Sequence, residues 1–162
     1  MLINETGTVT LENMVLSPKM HSKDFIPQYA NDFLGFLSDL GNGMLRSRNP
    51  VSDGQGHEFR VILDFMSDRL VGVILYPILN EPDGETLITA KEAEARRRDV
   101  CEGILQSLFG EPSGRTETDI TYQFDDCSVV LWSSIGTKDM ASGGCIIVDY
   151  GCRPKLPNPK PQ

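Results

Sequence analysis

The alternation of hydrophobic and polar positions is most regular in the centre of the chain. Residues 57–66 alternate between apolar and polar side chains, and residues 69–76 are rich in Val, Ile and Leu. The short polar link Ser67-Asp68 between them predicts a β-hairpin. Because the second strand is apolar at both its odd-numbered and its even-numbered positions, we expect it to lie centrally in a sheet with both of its faces covered.

The first of two helical patterns begins near residue 22. Either Ser22 or Asp24 can serve as its N-cap, and with Asp24 as the cap Pro27 falls in the first turn, where amides lack helical partners. The Gly-Asn-Gly of residues 41–43 supplies a stop signal. The predicted apolar stripe of this helix is Phe25, Ile26, Tyr29, Phe33, Phe36, Leu37 and Leu40.

The second helical pattern has clear signals at both ends. Thr89 and Glu92 form a capping box, in which each side chain satisfies a first-turn amide of the other residue. Gly110 followed by Pro112 ends the helix near residue 109. The predicted apolar stripe is Ala93, Val100, Cys101, Ile104, Leu105 and Leu108.

Shorter alternating segments predict the remaining strands. They cover residues 6–11, 116–124, 127–133 and 145–150, while 44–48 is open between strand and loop. Asp125-Asp126 turns the chain between two of them and makes a second hairpin. Tight turns between neighbouring strands indicate antiparallel pairing. We therefore predict an α+β fold with a mainly antiparallel sheet of about five to seven strands and two amphipathic helices packed on it.

The length and the distribution of proline predict one domain with a tail. A chain of 162 residues fits a single domain, which we place at residues 1–152. Four of the ten prolines lie in residues 153–162 together with Arg153, Lys155 and Lys160, and they predict a flexible, extended, basic tail. With 40% hydrophobic and 23% charged residues, the domain can bury a core.

The formal net charge of −8 argues against two classes of partner. Three of the 15 basic residues and none of the 23 acidic residues lie in the predicted tail, so the domain carries about −11. Such a domain repels phosphate backbones and anionic lipids, and we expect neither nucleic acid nor a membrane as a partner. The arginine run 96–98 spreads around its helix among acidic residues, where we expect ion pairs within the helix.

No targeting signal is visible at the start of the chain. Residues 1–12 carry two glutamates and lack a basic segment followed by an apolar run, and no apolar stretch has the length of a membrane span. We therefore expect a cytoplasmic protein with reduced cysteines. Cys101, Cys127 and Cys145 are expected to be buried, and Cys152 to be the most exposed.

The sequence contains few candidates for catalysis. The two histidines, His21 and His57, stand in no zinc-binding pattern with cysteine or acidic residues, and no phosphate-binding glycine loop is present. We predict no metal and no cofactor. An enzyme would have to use His57 or a cysteine, as in a small hydrolase or transferase, and the sequence does not show whether these side chains meet.

Acidic residues cluster in two predicted turns. One holds Glu81, Asp83 and Glu85, and the other holds Asp125 and Asp126. Acidic residues in turns often serve only the turn, because an Asp side chain hydrogen-bonds the local backbone. On an exposed surface they also attract a basic protein. These five residues are our candidates for partner binding.

In layout the chain resembles a group of small bacterial α+β proteins, some of which are immunity partners of secreted toxins. The resemblance spans residues 6–150 and rests on the central hairpin, the capped helix after it and the closing Ile-Ile-Val-Asp-Tyr strand. It implies a binding function. It transfers no functional residue, because no diagnostic motif is shared.

We therefore predict a non-catalytic cytoplasmic protein that binds a protein partner, such as an immunity protein that neutralises a basic toxin through an acidic surface. One alternative is a small hydrolase or transferase that uses His57 or a cysteine, and another is a chaperone or adaptor for a secreted effector. A pocket that holds His57 beside a carboxylate or a thiol would favour the enzyme. An exposed apolar patch or a dimer surface would favour the chaperone or adaptor.

Overall fold

The predicted central hairpin forms the middle of the fold. The computed structural model describes residues 2–79, 89–133 and 143–151, and the predicted tail lies outside them. The strands are β1 (Val9–Leu11), β2 (Met14–Leu16), β3 (Phe33–Leu37), β4 (Gly43–Ser47), β5 (Val51–Ser52), β6 (Glu58–Met66), β7 (Arg69–Pro77), β8 (Gly114–Arg115), β9 (Asp119–Gln123), β10 (Ser128–Trp132) and β11 (Cys145–Asp149). The helices are α1 (Ser22–Tyr29) and α2 (Ala90–Phe109).

Nine of these strands form one antiparallel sheet. Its order is β3-β4-β6-β7-β11-β10-β9-β8, and β5 pairs with the start of β6. β1 and β2 form a separate two-stranded sheet. The α+β class and the antiparallel pairing are confirmed, but the described residues form 11 strands in two sheets where we predicted about five to seven strands. Part of the difference comes from β2, β5 and β8, which have only two or three residues and are too short to show a period of two.

The β6–β7 hairpin has the geometry that the sequence predicts. Its turn residues Ser67 and Asp68 have φ angles of 50° and 66°, the left-handed pair that suits a two-residue hairpin loop. β7 lies in the middle of the sheet, between β6 and β11. The predicted central position of this strand is therefore confirmed.

The hydrophobic core lies on one face of the large sheet. α2 contributes the buried Cys101 and packs Phe109 against Tyr122 of β9, with 5.4 Å between the ring centroids. α1 contributes Phe25, whose ring centroid lies 5.8 Å from that of Phe65 of β6. The two-stranded sheet joins the same core. The strand residues on this face are Phe59, Val61, Leu63, Phe65, Val73, Leu75, Ile120, Tyr122, Val129, Leu131, Ile146 and Val148.

The opposite face of the sheet is not packed by α1, α2 or the two-stranded sheet. Side chains point to it from the alternate positions of each strand and are mostly half-buried. On this face β7 presents the half-buried Ile74 and Tyr76, so the covering of its second face stays a prediction. We call the surface formed by Ile62, Ile74, Tyr76, Val130, Trp132 and Ile147 the open face.

The first predicted helix is much shorter than its pattern, and the prediction that it reaches Leu40 is wrong. α1 ends at Tyr29, residues 30–32 form a 3₁₀ turn, and the apolar residues after them form β3. Pro27 lies inside α1 and removes a helical hydrogen bond near its end. The residues that follow pair with β4, and the glycines of 41–43 serve the hairpin turn between the two strands.

Two glycines let β3 and β4 approach each other. Gly35 and Gly43 have φ angles of 139° and 154°, which side chains disfavour. A Cβ atom on Gly35 would lie 2.2 Å from the Met44 carbonyl oxygen, and one on Gly43 would lie 2.1 Å from the Phe36 carbonyl oxygen. The pairing that replaces the predicted helix therefore depends on glycine at both positions.

α1 is capped by a side chain from the central hairpin. Its N-cap residue is His21, not Ser22 or Asp24, and the His21 side chain makes no capping hydrogen bond. The Asp68 carboxylate instead accepts hydrogen bonds from Ser22 Oγ and, at 3.4 Å, from Lys23 N–H. A carboxylate at the first turn of a helix satisfies free donors and complements the helix dipole. The β6–β7 turn therefore anchors α1 to the sheet.

The second predicted helix is confirmed together with its capping box. Glu92 N–H donates to Thr89 Oγ1 at 3.2 Å, and Thr89 N–H donates to the Glu92 carboxylate at 2.7 Å. Gly110 ends the helix with a φ angle of 73°. Neither of the described helices has the length and apolar character needed to cross a membrane.

The arginine run of α2 holds neighbouring loops. Arg97 Nε donates to the Gly143 carbonyl oxygen at 3.2 Å, and Arg98 donates to the Glu117 carbonyl oxygen at 3.3 Å. Among the described residues, the ion pairs of this protein include none of the three arginines. The ion pairs that we predicted within the helix are therefore not seen there.

Thr89→Ala should destabilise the fold, because it removes the hydroxyl group that caps α2. We expect the free energy of unfolding in urea to fall by about 1 kcal/mol and Tm to fall by about 2–4 °C. Thr89→Ser keeps the hydroxyl group and is the matched control, which should unfold close to the wild type. Equal losses in the two variants would contradict the capping role.

Candidate functional site

Two of the five predicted partner-binding residues lie in the described part of the chain. Asp125 and Asp126 are exposed in the turn between β9 and β10. Glu81, Asp83 and Glu85 lie outside the described residues. The structure therefore places one of the two predicted acidic turns.

Asp125 and Asp126 share their end of the sheet with other acidic residues. The antiparallel connections bring the β3–β4 turn, the β6–β7 turn and the end of β11 to the same end. The first two turns touch, because Asp68 N–H donates to the Gly41 carbonyl oxygen at 3.3 Å. No basic residue occurs in the segments 38–42, 67–68, 124–127 and 149–151. We call their aspartates the acidic end: Asp39, Asp68, Asp125, Asp126 and Asp149.

A row of aliphatic side chains crosses the open face. Ile62 pairs with Ile74, Ile74 with Ile147, and Ile147 with Val130, so the four lie side by side on neighbouring strands. Asp149 follows Ile147 by two residues and therefore points to the same face. The aliphatic row thus borders the acidic end, and the two form one continuous surface.

Aromatic residues flank the aliphatic row on its other side. Tyr76 and Trp132 follow Ile74 and Val130 by two residues, and Cys145 of β11 lies between them, as the register partner of Trp132 and a hydrogen-bond partner of Tyr76. Burial and the neighbouring thiol raise the pKa of Tyr76 to about 12, so its hydroxyl group stays protonated. Side chains with an apolar body and a polar tip are enriched in protein interfaces.

A second candidate site is a histidine held by a buried carboxylate. His57 Nδ1 lies 2.8 Å from Asp53 Oδ2, and the Asp53 side chain is only 2% exposed while that of His57 is 41% exposed. Asp53 also accepts hydrogen bonds from Gln55 N–H at 2.7 Å and His57 N–H at 3.0 Å. Burial alone raises the pKa of Asp53, but the hydrogen bonds from Gln55 and His57 outweigh it and lower the pKa below its ordinary value.

This histidine lines a groove between α2 and the start of β6. Two adjoining hollows of about 390 and 300 Å³ share His57, Asp99 and Val100. Arg96 lines the first hollow and Ile104 the second. Because Asp53 engages Nδ1, the other ring nitrogen of His57 is available to a ligand in the groove. The arrangement meets one condition for an enzyme that uses His57, a carboxylate beside it in a cavity.

The other histidine belongs to the cap of α1. His21 Nδ1 lies 3.1 Å from Asp68 Oδ2, and the hydrogen bond from Ser22 to the same carboxylate is the main cause that holds the pKa of Asp68 below its ordinary value. The carboxylate therefore stands between the serine and the histidine. A catalytic triad requires the histidine between the other two groups, so we interpret this cluster as structural.

The three described cysteines are buried and free, as predicted. Burial raises the pKa of the Cys101 and Cys127 thiols and raises that of Cys145 to about 11. Since the thiolate is the reactive form, these side chains are poor nucleophiles at neutral pH. Cys152 lies outside the described residues. The described thiols therefore lend no support to a cysteine enzyme.

No metal centre can be assembled from the described residues. Within 2–79, 89–133 and 143–151, no three His, Cys, Asp or Glu side chains are grouped so that they could hold a metal ion.

Sequence reasoning missed the open face and the His57 site for different reasons. From the sequence, only the strand of Ile74 is expected to be covered on both faces, and the four aliphatic residues are not brought together, because their alignment depends on the strand order. Asp53 and His57 are four residues apart in Asp-Gly-Gln-Gly-His. An Asp that begins a glycine-rich loop commonly hydrogen-bonds the backbone two residues on, and this pattern could have indicated the pair.

Comparison with known proteins leaves these two sites without a precedent to interpret them. No protein-family model, curated protein or solved structure matches the chain. The functional argument therefore depends on the geometry alone.

Asp53→Asn should make the free energy of unfolding less dependent on pH in the acidic range. Because the pKa of Asp53 is lower in the folded state, its charged form stabilises the fold above the unfolded-state pKa of about 3.9, and this contribution is lost as the pH falls through the folded-state value. We expect the variant to lose roughly 1 kcal/mol of unfolding free energy in urea at pH 7.

The same titration contains its own control. Once the pH lies below the lowered folded-state pKa of Asp53, the carboxyl group is protonated in both states, so the wild type and the variant should have similar unfolding free energies. An identical pH dependence of the two proteins between pH 7 and that limit would contradict the assigned role of Asp53.

Proposed function

We propose that this chain is a non-catalytic protein-binding protein that holds a basic protein partner against its open face and acidic end. The observation that carries the proposal is the continuity of the two, because an aliphatic row borders five aspartates, of which Asp68 also pairs with His21. A protein that neutralises a basic toxin by covering it, as immunity proteins do, needs such a surface.

The two parts of this surface would act at different stages of binding. Separated charges attract over about a Debye length, so the acidic end speeds the approach of a basic partner and orients it. The aliphatic row and the flanking aromatic residues exclude water once contact is made, which slows dissociation. Variants of the two parts should therefore change different rate constants.

The test uses the full chain as immobilised bait for proteins of its host, followed by kinetics with the purified protein that it captures. Asp125→Asn with Asp126→Asn should lower the association rate about tenfold at low salt and reduce its dependence on salt. Ile62→Thr with Ile147→Thr should mainly raise the dissociation rate, because both residues lie in the aliphatic row.

Glu12→Gln with Glu117→Gln is the matched control for the acidic variant. It changes the net charge by the same amount, and both glutamates are exposed outside the acidic end. We expect its association rate to stay close to that of the wild type. The proposal is overturned if the control and the acidic variant slow association equally, or if no protein is captured at low salt.

A specific observation also favours a second candidate function, a small hydrolase or transferase. Asp53 fixes His57 in an orientation suited to a general base, and the groove beside it could receive a substrate. His57 would accept a proton from the attacking group. The described residues offer no activated nucleophile next to it, so water or a second substrate would have to attack.

His57→Gln tests this second candidate with generic substrates such as 4-nitrophenyl acetate and 4-nitrophenyl phosphate. An enzyme would exceed the buffer rate, and the variant should lose about a hundred-fold of the excess. Phe36→Ser, which changes an exposed residue outside the groove, should keep it. A wild-type rate equal to that of buffer for both substrates would count against this candidate.

A further inference from the structure

The open face changes its chemistry from one end of the sheet to the other. Asp149 lies at the acidic end, the aliphatic row follows, and Tyr76 and Trp132 lie beyond it. In register, Gly72 of β7 stands between Asp64 of β6 and Asp149 of β11. Because glycine has no side chain, a gap remains there between two carboxylates, and we call it the acidic gap.

The chain that follows β11 is directed toward this face. Asp149 Oδ1 accepts a hydrogen bond from Gly151 N–H at 2.9 Å, and Gly151 has a φ angle of 72°. A turn closed by an aspartate side chain bends the backbone toward that side chain, and Asp149 lies on the open face. The Tyr150 hydroxyl group donates to the Gly7 carbonyl oxygen at 2.8 Å and holds the start of this turn. The predicted tail, residues 153–162, therefore begins beside the acidic gap.

The predicted tail has the length to cross the whole face. An extended proline-rich segment rises about 3.1 Å per residue, so the ten residues 153–162 can reach about 30 Å. From Asp149 back to Cys145, β11 covers only about 14 Å. Tyr76 and Trp132 lie level with Cys145, which contacts both. The tail can therefore pass the acidic gap, the aliphatic row and the aromatic residues.

The order of residues in the tail matches the order of groups on the face. Its sequence is Arg-Pro-Lys-Leu-Pro-Asn-Pro-Lys-Pro-Gln. The bases nearest to β11, Arg153 and Lys155, come before Leu156, and further prolines follow. Proline lacks the N–H group that a sheet face cannot pair, and extended proline-rich segments dock on aromatic side chains. The tail is therefore complementary to the open face in charge, in apolar content and in backbone chemistry.

We propose that residues 153–162 fold back across the open face of the same chain, with Arg153 and Lys155 at the acidic gap and the later prolines against Tyr76 and Trp132. This docking would supply the cover that the sequence predicts for the second face of β7. The docking itself does not depend on the binding function proposed above. Its consequence rests on that function, because a basic partner of the same surface must first displace the tail.

Trp132 reports on the docking, because it is the single tryptophan of the chain and lies where the prolines would pack. In the full chain, Arg153→Glu with Lys155→Glu places like charges at the acidic gap and should lower the docking equilibrium constant about tenfold. We expect a red shift of the tryptophan emission and faster quenching by acrylamide. Lys19→Glu with Lys91→Glu makes the same change in net charge at two exposed residues outside the open face, so this matched control should keep the wild-type emission.

A spin label on the tail tests where it lies. In the full chain with Cys152→Ser and Asn158→Cys, the label attaches at residue 158, because the described cysteines are buried. Docking should broaden the amide NMR signals of Tyr76 and Trp132 more than those of the turn 124–127. The broadening should be the same at about 20 and 200 µM, because a tail docked within one chain has a far higher effective concentration.

Three results would overturn the proposal. They are broadening centred on the acidic end, where an undocked tail is attached, broadening that falls on dilution as docking on a second copy requires, and equal tryptophan emission in the wild type and the tail variant. Neither measurement involves a partner. A failure here therefore leaves the proposed binding function standing, and a failure to capture a partner leaves the docking standing.

Discussion

The described elements cover the large sheet on one face only, and most of the molecule follows from that constraint. Side chains of one parity on β6, β7, β11 and β10 are packed by α1, α2 and the two-stranded sheet, and their burial supplies the main driving force for folding. The side chains on the opposite face belong to the same central strands, where β-branched residues such as Ile74 and Ile147 fit best. The aliphatic side chains on that face are half-buried, and the proposed binding function uses them.

Elements with local signals could be predicted, and those decided by distant partners could not. The β6–β7 hairpin follows from alternation around Ser67-Asp68, and α2 follows from its capping box and terminal glycine. The apolar spacing of Phe33–Leu37 fits a helix as well as a strand. The strand forms because β4 offers a hydrogen-bonding partner and because Gly35 and Gly43 permit the close approach, and periodicity contains neither fact.

The candidate sites divide in the same way. A turn at Asp125-Asp126 could be predicted from its residues, since turn chemistry is local. The gathering of Asp39, Asp68 and Asp149 beside it could not, because it depends on β11 lying between β7 and β10. The contact between Asp53 and His57 could be predicted, because the two residues are only four positions apart. The groove beside them could not be predicted, because it exists only where α2 packs against the start of β6.

The position of β11 also affects how this chain reaches its native state. β11 is the last of the described strands along the chain, yet it joins two groups of strands, β3–β7 and β8–β10, that do not otherwise pair with each other. Because chains are synthesised from the amino terminus, both groups exist before the strand that unites them. The facing edges of β7 and β10 carry apolar residues such as Val73 and Val129, and stay unpaired until β11 arrives. The interval before this late, non-local pairing is therefore the time at which aggregation of the nascent chain is most favourable.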